Sequence, residues 1–151
     1  VGDADHMSEQ LSAAGGQLDV LRIAMKPGKP LTLGTLGGAV FVGLPGNPVA
    51  AYTTWMIFGR RMAEKLAGQS YADMHHEIVE TTESFSRTPG RQEFRPVAFV
   101  AGLSQGRRRV RMLDPTYSAK ISLVCRSDSF AIIPSDTKQV TSGDTLELVR
   151  L

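Results

Sequence analysis

In the segment LDVLRIAM, Leu18, Val20, Leu21, Ile23 and Met25 are apolar, a density that predicts a mostly buried strand over 18–25. KPGKP interrupts the chain at 26–30. LTLGTL and AVFVGL then read as two strands meeting at the Gly37-Gly38 turn, a hairpin signal. A helical period follows PGNP: Val49, Tyr52, Trp55, Met56 and the stretch from Met62 to Leu66 supply apolar faces, so a helix is expected over 48–67, stopped by Gly68. Ahead of these, HMSEQLSAAGG reads as a short helix, with Asp5 as its N-cap, Met7 and Leu11 on one face and Gly15-Gly16 as its stop.

From about Met74 the pattern changes to short alternating segments: HEIVETTESF, EFRPVAFV, RRVRML, KISLVC, SFAIIP and TLELVRL. Turn-rich stretches such as TPGRQ, LSQGR and SDTKQVTSGD separate them, and strands at this spacing predict a small all-β barrel or sandwich. The polar stretch QSYAD suggests a boundary between Gly68 and Asp73. The expected organisation is therefore α/β over 1–70, a mixed sheet with helices, followed by a small all-β barrel over 71–151.

Composition narrows the function classes. The chain has 151 residues and a formal charge of +2, too little to argue for nucleic acid. A single cysteine, Cys125, excludes an intramolecular disulfide and a multi-cysteine zinc site, and fits a reducing cytosol, so a cytoplasmic protein is expected. No apolar run approaches the roughly 20 residues that span a membrane. The chain opens on Val1 with no initiator methionine, and its first residues look like a working loop, so a C-terminal fragment of a longer protein is expected.

The chemistry concentrates in loops. Lys26 and Lys29 share the proline-restrained KPGKP loop, an arrangement that makes sense with an anion between them; an ordinary exposed turn is the alternative. Arg22, expected on the same strand face as Lys26, would add a third positive charge. In PGNP, Pro48 suits the first helical position and Asn47 an N-cap, while Gly46 permits close backbone approach. Free N–H groups at that helix end would attract an anion; a well-capped helix is the alternative reading. Asp3 and Asp5, two apart before a helix, suit Mg²⁺ or simply a solvated acidic cap. His6, His75 and His76 lack ligand spacing, Cys125 reads as core, and the arginines of GRRRVRM read as a solvated hairpin edge.

GDADH, AMKPGKPL, a Gly-Gly turn and VGLPGNPVAA at these intervals resemble the molybdopterin molybdenumtransferase family, of MoeA type and including the gephyrin C-terminal domain. TPGRQEFRPV and SFAIIPSDTKQVTSGDTLELV resemble that family's last domain. The resemblance implies the end of a molybdopterin-binding α/β domain followed by a C-terminal β-barrel. It implies Mg²⁺-dependent insertion of molybdate into adenylated molybdopterin with release of AMP, and a homodimer in the full-length protein. Asp5 matches the acidic residue that assists Mg²⁺ or molybdate handling; Asp3 is expected as a second metal ligand from its spacing alone. Lys26, Lys29 and Pro30 match the loop that meets molybdate, and Pro45, Gly46, Asn47 and Pro48 match the substrate-binding turn. Ser118 and an arginine of GRQEFR, Arg91 or Arg95, match barrel residues that face the site. Ala50 stands where the family usually carries a hydroxyl residue.

The resemblance agrees with the physics of the loops. Bringing a dianion to a pyrophosphate ester costs Coulomb repulsion, which lysines, a helix N-terminus and Mg²⁺ offset. Two other readings use the same residues: adenylation of molybdopterin, and a gephyrin-like scaffold that binds a partner peptide. The chain alone is expected to turn over little substrate.

Overall fold

In a computed structural model, which describes residues 6–69, 76–113 and 120–149, the first apolar run divides between two sheets. Strand β1 (Gln17–Arg22) pairs antiparallel with β3 (Pro30–Leu36), which pairs with β4 (Ala39–Gly43) across the Gly37-Gly38 turn. Both turn glycines have positive φ, 55° and 83°, as a two-residue hairpin loop requires. Strand β2 (Met25–Lys26) leaves this sheet and pairs in parallel with residues 92–93 of the second half. The expected continuous strand over 18–25 is thus broken at Ile23, whose N–H donates to the Lys29 carbonyl at 2.9 Å. Arg22 and Lys26 consequently belong to different sheets, and the shared strand face anticipated for them does not exist.

Helix α1 (Met7–Ala13) stops at Gly15, at φ 83°, as expected. His6 occupies its N-cap position without a side-chain hydrogen bond, so the cap assigned to Asp5 falls one residue too early; Asp5 itself lies outside the described residues. The long helix begins at Pro48 and ends at Leu66, in three consecutive parts: α2 (Pro48–Thr54), one π-helical turn (Trp55–Gly59) and α3 (Arg60–Leu66). Nothing in the apolar period signals the π turn. Within it the Trp55 ring lies over Gly59: a Cβ there would stand 2.2 Å from Trp55 Cε3.

The second half closes into a barrel. Strands β5 (His76–Thr81), β7 (Gln92–Ser104), β8 (Arg107–Met112), β9 (Ser129–Ile133) and β11 (Thr145–Val149) form the ring β7-β8-β5-β11-β9, closed by β7 pairing with β9. Two short strands, β6 (Phe85–Ser86) and β10 (Gln139–Val140), pair beside it. The segment KISLVC is not a strand: Ile121–Val124 form one helical turn, α4, with Val124 turned inward and Cys125 exposed. The core position expected for Cys125 rested on the strand reading and fails with it. The arginine-rich strand is not an edge either. β8 is flanked by β7 and β5, and it carries Arg108 and Arg109 beside Glu77 and Glu80 of β5, at 3.4 and 3.7 Å.

Strand β9 explains how the parts join, since both its faces are buried. Ala131 and Ile133 pack inside the barrel with Val79, Val97, Val110 and Leu148. Phe130 and Ile132 face outward into a second cluster with Met25 of β2, Val49 of α2 and Phe94 of β7. The first-half loops and helix thus share a core with the barrel wall.

Candidate functional site

The two proline-glycine loops meet. A cavity of about 840 Å³ is lined by Gly28 and Pro30 of KPGKP, by Pro45, Gly46 and Asn47 of PGNP, and by Ala50 in the first turn of α2. Thr32, Phe41 and Val42 supply its sheet wall, and Met7 and Ser8 at the start of α1 complete it. The lining is mainly apolar, with a few hydroxyl, amide and backbone groups, which is the usual composition of a small-molecule site.

Backbone geometry holds both loops. Gly28 has φ 106°, a conformation that disfavours side chains, and a Cβ on it would stand 2.6 Å from Thr54 Oγ1 of α2. The Lys26–Pro27 peptide is cis. In PGNP, Asn47 is the helix N-cap: its Oδ1 accepts from the N–H groups of Val49 at 3.0 Å and Ala50 at 3.1 Å. The Ala51 N–H donates to the Asn47 carbonyl at 2.8 Å, and Pro48 has no N–H. The donors expected to be free at this helix end are therefore occupied, and PGNP acts as a well-capped helix start whose backbone walls the cavity. Any attraction for an anion must come from elsewhere.

Cations lie on the side of the barrel. Glu93 of β7 is a carboxylate with 1% side-chain exposure, and among the described residues three cations stand against it. Lys26 Nζ is 3.1 Å from one oxygen, Arg95 Nε is 3.2 Å from the same oxygen, and Arg87 Nε is 3.1 Å from the other. The two Nε groups are ion-pair contacts without well-aligned hydrogen bonds, whereas Arg95 Nη2 donates to Glu93 at 3.4 Å. Burial opposes ionisation of Glu93, but Arg95 and then Lys26 outweigh it and hold the carboxyl below its ordinary range. Arg95 also stacks on Phe85, its Cζ 3.9 Å from the ring centroid. Arg87 donates to the Pro134 carbonyl at 2.6 Å and to the Arg91 carbonyl, which ties the TPGRQ turn to the barrel end.

The residues expected from sequence are distributed unevenly. Pro30, Pro45, Gly46 and Asn47 come together at the cavity, whereas Pro48 is exposed at the first helical position beside it. Lys26 is half-exposed and held by Glu93, while Lys29 and Arg22 stand exposed. Arg95 is buried against Glu93, and Arg91 is exposed with its carbonyl engaged. Asp3, Asp5 and Ser118 lie outside the described residues. Sequence reasoning passed over Glu93 and Arg87. The signal was present: a lone acid between the TPGRQ turn and the apolar run FRPVAFV must find cations if that strand is buried.

Among the described residues no group of three or more His, Cys, Asp or Glu is placed to hold a metal, and no helix is long and apolar enough to cross a membrane.

Comparison with known proteins finds two family matches along the chain. Residues 1–65 match the family described as probable molybdopterin binding domain, and residues 79–151 match the MoeA C-terminal region (domain IV). A molybdopterin molybdenumtransferase of Haemophilus influenzae is 31% identical over 149 residues, covering 98% of this chain and 36% of the relative. One from Nostoc is 37% identical over 71 residues, covering 45% of this chain and 16% of the relative. Among solved structures, the molybdopterin biosynthesis MoeA protein of Pyrococcus horikoshii superposes with a TM-score of 0.76 at 21% identity, over 97% of this chain and 35% of that one. The chain thus spans about a third of the length of the Haemophilus protein.

Proposed function

Because the chain belongs to the MoeA-type molybdopterin molybdenumtransferase family, we propose that it forms part of the site where molybdate enters adenylated molybdopterin, with release of AMP, in molybdenum cofactor biosynthesis. The observation that carries this reading is the cavity shared by Gly28 and Pro30 with Pro45, Gly46 and Asn47. Its apolar wall of Phe41, Val42 and the two prolines suits a flat heterocycle, and Ser8, Thr32 and Asn47 offer polar contacts to orient it. Gly28, without a side chain, lets a ligand reach the loop backbone.

The anionic parts of both substrates need positive charge, and Lys26 supplies it in this reading. An ammonium has three donors, so its contact with one Glu93 oxygen leaves it able to meet an oxyanion. Lys29, exposed on the same loop, adds to the field that attracts a dianion. The task is to position two anions and offset their repulsion, which asks for no activated nucleophile.

Mg²⁺ belongs to the reading through the resemblance alone. Its expected ligands, Asp3 and Asp5, lie outside the described residues, among which no three His, Cys, Asp or Glu are grouped to hold a metal. The reading also takes the chain as two units that divide near residue 70, with the barrel from 71 to 151, acting in the cytoplasm within a homodimeric full-length protein.

Calorimetric titration of molybdate and of adenylated molybdopterin tests the proposal, using this chain and its Lys26→Ala/Lys29→Ala variant. Binding that is lost in the variant is expected. Binding of equal strength to both chains would refute the role given to the KPGKP lysines.

A further inference from the structure

Glu93 and Lys26 face each other across the junction between the first half and the barrel. Parallel pairing of β2 with β7 places their backbones in register, and the side chains complete the pair at 3.1 Å. A carboxylate with 1% exposure is costly to bury, but Arg87 and Arg95 already surround it, with side-chain exposures of 5% and 10%. Charge balance does not call for a third cation. Lys26 nevertheless reaches in, from the neighbouring strand β2, with 39% of its side chain still exposed. Among the described residues, three cations stand against this one carboxylate, so the contact orients the ammonium without cancelling the field of the group.

We propose that Glu93 is a positioning residue, whose buried carboxylate fixes the Lys26 ammonium beside the KPGKP loop while Arg87 and Arg95 fix the carboxylate. A free lysine side chain samples many rotamers and must surrender them when it binds. Pinned through Nζ, Lys26 gives up that freedom before any ligand arrives, and the barrel sets where the charge stands. This inference rests on the proposed function, which takes Lys26 as the cation that meets the anionic substrate.

The test compares the unaltered chain with Glu93→Gln, Lys26→Ala and the double variant, using two measurements. The first is competitive acetylation of lysines read by mass spectrometry, with Lys29 as internal reference. Release from the carboxylate should raise Lys26 labelling relative to Lys29 by roughly two- to fivefold in Glu93→Gln. An unchanged ratio would overturn the proposal. The second is calorimetric titration with molybdate. Glu93→Gln should weaken binding in the unaltered background and add nothing in the Lys26→Ala background. Equal losses in both backgrounds would mean a general structural effect and would also overturn it. Should molybdate bind none of the chains, the proposed function of this chain fails, while the labelling ratio still decides the case for Glu93. If Glu93→Gln does not fold, Glu93→Gln/Arg95→Met removes an anion and a cation together and carries the same two measurements.

Discussion

Asn47 and Glu93 are polar residues whose value lies in what they hold, and each makes a prediction at its own position. Asn47 Oδ1 satisfies two N–H groups at the start of α2, so Asn47→Ala should cost about 0.5–2 kcal/mol in denaturant unfolding, and Asn47→Asp much less. Glu93 matters more to stability. Its removal leaves two buried guanidinium groups without their anion, so Glu93→Gln should cost about 3–5 kcal/mol. Lys26→Ala, taken from the half-exposed side, should cost no more than about 1 kcal/mol. The pH dependence has a definite sign. The carboxyl is depressed in the folded chain, so its stabilisation is fully present above the unfolded value of about 4.3 and is lost as pH falls through the lower folded value. The stability gap between the unaltered chain and Glu93→Gln should therefore narrow below about pH 4.3, and a constant gap in acid titrations would contradict the pairing. Asn47 was legible in the sequence because capping is a local rule. Most of the partners of Glu93 were not, because Lys26 comes to it from β2 and Arg87 from the preceding turn, and only Arg95 is on the same strand.

At the scale of elements, the helix over 48–66 was readable from its apolar period, its proline and its Gly68 stop, but its π turn was not. Gly59 would ordinarily read as a weak point in a helix, where alanine is favoured by up to about 1 kcal/mol. The Trp55 ring reverses that preference, since an added Cβ would meet Cε3 at 2.2 Å. Gly59→Ala should therefore destabilise the chain by about 1–3 kcal/mol, as overpacking does. In a Trp55→Ala background the same substitution should become stabilising, because only the helical preference for alanine over glycine is left. Thermal melts of the four chains read this change of sign directly. The misread KISLVC segment has a related cause: a short segment with Ile121, Leu123 and Val124 apolar fits a strand or one helical turn equally well, and only the packing of Val124 on the barrel decides. The split of LDVLRIAM between two sheets is another decision that no local pattern records, because β2 finds its partner more than 60 residues away in β7.

At the scale of the molecule, the change in pattern near residue 70 conceals how tightly the helices and hairpin are joined to the barrel. Sequence patterning assigns each strand one buried face, whereas β9 buries both, with Ala131 and Ile133 inside the barrel and Phe130 and Ile132 against Met25 and Val49. The Glu93 cluster lies at the same junction and adds a charged contact to the apolar one. A shared core of this kind couples the parts when the chain unfolds, even though separate family matches cover them. Trp55 is the sole tryptophan and lies in the long helix, so its fluorescence reports the first half, while far-ultraviolet circular dichroism is weighted by the barrel strands as well. The two probes should trace one coincident denaturant transition, as cooperative unfolding requires. Met25→Ala, which empties the middle of the junction, should lower stability by about 2–5 kcal/mol and keep the curves together if the barrel depends on this contact. Curves that separate already in the unaltered chain would mean that the barrel stands without the first half, and that the cavity loops are held to it more loosely than their shared core implies.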